Sequence, residues 1–280
     1  MKFGIFIFAT DKSMDFVDLA RAAEERGFES IWAPEHVHIP VELETPFPLS
    51  DDGSLPDMYT RIHDPFIVLA AAASATSTIR LGTSICLVSE HEPVTLAKTI
   101  ASLDHVSAGR FEFGVGAGWL REEMEPLGVQ FETRWKVTEQ RIAAMKAMWT
   151  DDEAEHHSEF VDIPKTLVYP KPVQTPHPPI LIGATSRYAR QRVVDWADGW
   201  LPNVPRPDYL ERGIGDLRER AAASNRDPDS INVTVLSGLA DAVDEYERIG
   251  LDRVIFQVPS EPDSVVMPEL DKLAKLIEGR

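Results

Sequence analysis

Short runs of Ile, Val, Phe and Leu alternate along almost the whole chain with longer stretches whose apolar residues recur every three or four positions. The first kind reads as buried strands and the second as amphipathic helices. Eight such pairs are present. The strands fall at 2–8, 30–33, 79–87, 111–115, 180–183, 199–201, 231–236 and 253–258, with helices near 13–26, 65–76, 93–107, 134–149, 185–197, 207–223, 240–249 and 264–278. Repeated βα units make a parallel sheet, and eight of them fit a closed (β/α)8 or TIM barrel better than an open doubly wound sheet of about five or six strands. The expected fold is therefore an α/β barrel, with 1–280 as a single domain.

Local chemistry marks several boundaries. Ser13 is placed to cap the first helix, whose Phe16, Ala20 and Ala23 form an apolar stripe, and Gly27 supplies a left-handed stop. Asp64 precedes a proline at the first helical position, Pro65, where the missing N–H costs nothing. Gly250 ends the seventh helix. Two segments interrupt the alternation. Residues 34–63 hold Pro34, Pro40, Pro46, Pro48, Pro56 and Gly53, and residues 151–179 run from an acidic patch to the proline-dense YPKPVQTPHPP. Both are read as long loops following strand ends, after strands two and four, and so as walls or lids at the barrel mouth.

Composition narrows the possible partners. Acidic residues outnumber basic ones 46 to 28, giving a net charge of −18, so the basic footprint that nucleic acid or an anionic membrane requires is missing. The single cysteine, Cys86, excludes an intrachain disulfide framework and multi-cysteine metal sites, and fits a reducing, cytoplasmic setting. No apolar run approaches the ~18 residues of a membrane span. The N-terminal MKFGIFIFAT meets Asp11 at once and reads as a first strand, not a signal peptide.

Four segments carry candidate chemistry. Trp32 to His38 ends strand two, and a histidine there, with an ordinary pKa near ~6.5, suits proton transfer. His36 is read first as a proton-transfer or cofactor-contacting group, then as a plain histidine, and last as half of a His36-x-His38 metal site, for which no further ligands are evident. The segment 80–87 reads as a buried strand with Cys86 as a small hydrophobe. The glycine-rich 109–119 permits close backbone approach to a phosphate or ring edge, or simply tight packing. In 180–187 a strand opens into a helix whose free N–H groups, with Thr185 and Ser186, suit an anion or merely a cap.

Taken together, WAPEHVHIP, IRLGTSI, HVSAGRFEFGVGAGW and YPKPVQTPHPPILIGATS followed by ADGWLP resemble the bacterial luciferase-like monooxygenase superfamily, in its branch of deazaflavin (coenzyme F420) dependent oxidoreductases. The resemblance implies a homodimeric barrel enzyme that transfers a hydride between F420 and a small organic substrate. By matched position, His36 would give or take the proton, Glu35 would lie beside the ring, and Ser84-Ile85 would form a non-proline cis peptide pressing on the ring's back. Leu87, Ala117 and Gly118 would touch the cofactor, and Gly183, Ala184, Thr185 and Ser186 its phosphate-bearing tail. Trp119, with His38, would line the substrate pocket. Trp119 stands where sugar-phosphate dehydrogenases of the superfamily carry an acid/base glutamate, which points to a more apolar substrate; Glu122 and Glu123 follow closely as substitutes. No metal centre is expected. The alternatives are an FMN-dependent monooxygenase and, from another class, a noncatalytic flavin-binding protein.

Overall fold

In the computed structural model, which describes residues 1–280, the strands are β1 (Lys2–Phe6), β2 (Ser30–Ala33), β3 (Arg80–Thr83), β4 (Cys86–Leu87), β5 (Phe111–Gly116), β6 (Ala154–His157), β7 (Asp162–Thr166), β8 (Ile180–Ile182), β9 (Gly199–Trp200), β10 (Asn232–Leu236) and β11 (Arg253–Gln257). The helices are α1 (Phe16–Glu25), α2 (Pro65–Ala75), α3 (Pro93–Val106), α4 (Arg121–Met124), α5 (Arg134–Thr150), α6 (Arg187–Trp196), α7 (Pro207–Ala223), α8 (Val243–Ile249) and α9 (Asp263–Ile277). Each of the eight expected strand positions holds a strand. All pair in parallel in the order β3-β2-β1-β11-β10-β9-β8-β5, and the ring closes where β3 meets β5 at Leu81 opposite Phe111. The third position is interrupted: the Ser84-Ile85 peptide is cis, and the strand resumes as β4, with Cys86 opposite Val115.

Side-chain alternation divides the interior into two layers. Ile5, Ile31, Val235 and Val254 face the helices and join the main core. Their neighbours Phe6, Trp32, Leu236 and Ile255 point the other way and, with Phe8, Leu181 and Leu201, fill the barrel itself.

Two expectations need correction. Helix α1 is capped by Asp15, whose carboxylate accepts the N–H groups of Val17 and Asp18 at 2.8 and 3.1 Å. Ser13 is engaged earlier, in a turn with Thr10. A carboxylate also complements the helix dipole, which favours the later start. Asp64 caps α2 as expected, accepting from Ile67 at 3.0 Å, and Gly27 and Gly250 are left-handed.

The second correction concerns 151–179. The segment follows α5, not a strand end, and so returns to the opposite end of the barrel. It carries the antiparallel hairpin β6–β7. Its proline-dense end docks on Asp104, which accepts from the backbone of Val173 and Gln174, while the Gln174 amide donates to the Phe111 carbonyl at the start of β5. It is a floor and not a lid. The excursion that follows β5 at the mouth is instead the stretch 117–133 containing α4. Residues 34–63, after β2, stay at the mouth as expected.

That floor encloses a charge cluster. Glu112 and Arg253, 6% and 2% exposed, are joined by two 2.8 Å bonds; Arg80 also bonds Glu112, and Arg253 reaches Glu29 at 2.8 Å. Burial works to raise the Glu112 pKa, but the two guanidiniums more than offset it and hold it below its ordinary value. Replacing Arg253 with Met removes two of the bonds to the buried Glu112 and leaves Arg80 as its remaining cation, and about 3 kcal/mol of stability is expected to be lost. Urea unfolding checks this, and adding Glu112→Gln should restore much of the loss. An Arg253→Met protein as stable as the parent would mean that the cluster is not load-carrying.

Candidate active site

The chain leaves β2 through Ala33 and Pro34 and puts two acid/base groups in succession at the mouth. Glu35 is 5% exposed and both its oxygens are engaged: Oε2 accepts the Leu87 N–H at 2.7 Å and Oε1 lies 2.8 Å from His91 Nε2. Burial pulls the His91 pKa down, but the Glu35 carboxylate more than offsets this and raises it. Glu35 thus ties the end of β2 to β4.

His36 is held from the far side of the mouth. Its Nδ1 lies 2.6 Å from Glu123 Oε2, and Glu123 Oε1 accepts the Val37 N–H at 2.8 Å, with the His38 N–H further off at 3.4 Å. Glu123 is 1% exposed and comes from α4, just past the glycine-rich turn. A carboxylate can only accept, so the imidazole carries its hydrogen on Nδ1, leaving Nε2 as the atom available for a proton. The neighbouring Glu122 accepts from the backbone of Glu44 and Thr45 at 2.6 and 2.8 Å, pinning the loop 34–63. Although burial works against it, hydrogen bonding from its own backbone N–H, the Thr45 hydroxyl and the Thr45 and Glu44 N–H groups lowers the Glu122 pKa to about 2.

Aromatic rings surround the His36 imidazole. Tyr59 lies 5.4 Å and Trp119 6.1 Å from it, Phe47 packs against both at 5.0 and 5.5 Å, and Phe8 touches Tyr59 at 4.6 Å. Burial pushes the Tyr59 hydroxyl up to about 12, so it stays neutral. Trp119 thus packs edge-on against the His36 ring and against Phe47. His38 contributes backbone rather than ring to this arrangement, and it is partly exposed.

The cis Ser84-Ile85 peptide points Ile85 between two glycines. A Cβ at Gly116 would come within 1.8 Å of Ile85 Cδ1, and one at Gly183 within 2.2 Å of its Cγ2. Of the glycines in 109–119, Gly114 and Gly116 thus serve packing, Gly114 lying against the Thr83 carbonyl; Gly118, at φ 72°, makes the turn after β5, and Gly109, at φ 78°, the one before it. At the end of β8 the carbonyls are drawn away: Ala184 accepts from the Trp200 indole at 2.7 Å, and Thr185 accepts from the Tyr209 hydroxyl and Arg190. Ser186 caps α6, accepting from Ala189 at 3.2 Å. The exposed α6 N-terminus with two hydroxyls is suited to a phosphate. Leu87 and Ala117 are buried behind this face.

Other groupings fall outside the mouth chemistry. Glu35, Cys86 and His91 converge, but they include neither His36 nor His38, and Glu35 is already hydrogen-bonded. Burial raises the Cys86 pKa far above its ordinary value, so the thiol is inert. A cleft of 630 Å³ lies at the opposite end, where its Arg26–Asp271 and Lys2–Glu29 pairs satisfy one another.

Comparison with known proteins decides the family. Residues 1–249 match the model for luciferase-like monooxygenase. The chain belongs to that family. An uncharacterised protein of Mycobacterium tuberculosis is 37% identical over 278 residues, covering 98% of both chains. The FMNH(2)-dependent dimethylsulfone monooxygenase of Pseudomonas putida is 29% identical over 165 residues, 58% of this chain and 45% of that one. An F420-dependent secondary alcohol dehydrogenase, solved with an F420-acetone adduct, shares the fold with a TM-score of 0.81 at 18% identity, covering 99% and 98% of the two chains. Members of the family are oxidoreductases and monooxygenases that depend on F420 or FMN.

The luciferase-like barrel also holds site residues that the sequence did not single out: Phe47, Tyr59, Trp200, Tyr209 and Arg190. Phe47 and Tyr59 lie in the 34–63 segment, Trp200 ends β9, and Arg190 and Tyr209 lie in the first turns of α6 and α7, so no single sequence signal marks them. The tight seat of Ile85 is testable. Gly183→Ala forces a methyl against Ile85 and is expected to destabilise the protein by about 1–3 kcal/mol, measured by thermal or urea unfolding. A variant as stable as the parent would show that Ile85 moves freely.

Proposed function

We propose that this luciferase-like barrel is a coenzyme F420-dependent oxidoreductase acting on a small, largely apolar organic substrate, with His36 as the proton donor or acceptor. The observation that carries the reading is the His36–Glu123 pair, which holds the imidazole in one tautomer with Nε2 available inside an aromatic ring of residues. The residues fit a phosphate-bearing flavin or deazaflavin: Ile85 forms a bulge that Gly116 and Gly183 make room for, and Gly183, Ala184, Thr185 and Ser186 offer N–H and hydroxyl groups at the α6 terminus. When bound, a deazaflavin supplies or accepts a hydride. The chain's part is to position the ring, keep water out and move one proton at His36 Nε2. Glu123 orients His36, and Glu35 acts as a positioning residue through Leu87 and His91. Ser84, Leu87, Ala117 and Gly118 line the cofactor side.

Trp119, Phe47, Tyr59 and Phe8 support an apolar substrate, since they offer mostly ring surface and no charge to pair with a sugar phosphate. The motifs around 32–40 and 105–119 support F420. A second reading, an FMN-dependent monooxygenase, draws support from the Pseudomonas putida relative. We place the enzyme in the cytoplasm, as a homodimer of one-domain chains, on the family resemblance and the single buried thiol; no helix is long and apolar enough to cross a membrane.

Fluorescence titration of the apo-protein with F420 and with FMN tests the cofactor, and tighter binding of F420 is expected. Preferential binding of FMN would favour the second reading. With cofactor bound, His36→Ala is expected to lower turnover by about 10²- to 10⁴-fold while changing cofactor affinity little. Undiminished turnover would remove His36 from the mechanism.

A further inference from the structure

Three carboxyl groups and two imidazoles gather at the ends of β2, β4 and β5. Two of the carboxyls are matched one to one: Glu35 with His91, and Glu123 with His36. The third, Glu90, has no match. Both its oxygens are buried without a hydrogen-bond partner, and the carboxyl lies against the Gly118 turn, where a Cβ would stand 3.4 Å from Oε1. Its own turn is held rigid by Arg141 of α5, which donates to the carbonyls of Val88, Ser89 and His91 at 3.2, 2.6 and 2.5 Å.

No cation is paired with Glu90, although the Arg141 guanidinium lies on the same turn. From α4 it feels the negative charge of Glu123, and from the end of β2 that of Glu35. The His36 and His91 rings are turned to those two carboxylates. Arg141 is engaged with backbone carbonyls, and Arg134 bonds the Gly118 carbonyl at 3.2 Å while stacking on Phe131. A buried carboxyl with like charges on two sides and no donor keeps its proton.

We propose that Glu90 stands in the mouth as an uncharged carboxylic acid, and that its ionisation at alkaline pH repels the phosphate-bearing anionic cofactor and closes the site. The second half rests on the proposed function; the first does not. Burial first, then Glu123 and Glu35, push the Glu90 pKa up to about 9. The acid is therefore neutral below that pH and adds a negative charge above it. The carboxyl lies against the Gly118 turn, on which Leu87 also packs, and both are assigned to the cofactor under the proposed function. One unit of added charge in a partly desolvated site is enough to weaken an anion's binding by about tenfold.

The test uses the full-length apo-protein carrying ¹³C-labelled glutamate, as wild type and as Glu90→Gln, which keeps the shape of the neutral acid. Carboxyl NMR is expected to show one resonance titrating at about 9 in the wild type and none there in Glu90→Gln. The Kd of F420 and of FMN, measured by fluorescence at about pH 7 and about pH 10, is expected to rise about tenfold in the wild type and to stay nearly flat in the variant. A Glu90 carboxyl titrating below about 5, in the ordinary range, overturns the proposal. An alkaline loss of affinity that persists undiminished in Glu90→Gln overturns its second half. If neither cofactor binds at any pH, the cofactor reading fails together with that second half, while the carboxyl titration still decides the charge of Glu90.

Discussion

A carboxylate taken out of water has to be paired and hydrogen-bonded, or it loses its charge or unfolds its surroundings. The mouth of this barrel is organised by that constraint. Glu35 and Glu123 each bind one histidine and one or more backbone N–H groups, and through those bonds they fix the end of β2 to β4 and to α4. The loop 34–63 then follows, because Glu122, next to Glu123, holds the backbone at Glu44 and Thr45. Phe47 and Tyr59 ride on that loop to reach Trp119 and His36. Removing either buried carboxylate would loosen a whole wall, not one contact.

The two ends of the barrel divide the work. At the N-terminal ends of the strands, Arg253, Glu112, Arg80 and Glu29 form a charge cluster closed off by the 151–179 segment, far from any candidate chemistry. At the C-terminal ends the charges are aimed at histidines, and a layer of apolar side chains from Phe6 to Ile255 separates the two. Stability and chemistry can therefore vary independently, as is usual for this architecture.

The barrel was legible in the sequence because its signals are local: apolar runs of strand length, separated by helical periodicity. So was the position of His36, since a residue just past a strand has only one end of the barrel to occupy. The partner of His36 was less visible. Glu123 is 87 residues away, and only the closed ring brings α4 beside the end of β2. The assignment of 151–179 to the mouth failed for a topological reason: its proline-rich composition resembles that of a lid, but a segment that follows a helix returns to the other end. Ser13 lost to Asp15 because a nearby turn claimed its hydroxyl. The net charge of −18 gains meaning from the structure as well, since an anionic ligand can be met only by local N–H groups such as those at α6.

The central claim is that Glu123 sets the His36 tautomer, so that Nε2 is the atom that exchanges the proton. Long-range ¹H–¹⁵N correlation NMR on protein labelled at histidine reads this directly. The account predicts that neutral His36 carries its hydrogen on Nδ1, and that Glu123→Ala, which removes the acceptor, abolishes this preference. A neutral His36 protonated on Nε2 in the wild type, or a tautomer unaffected by Glu123→Ala, would contradict it.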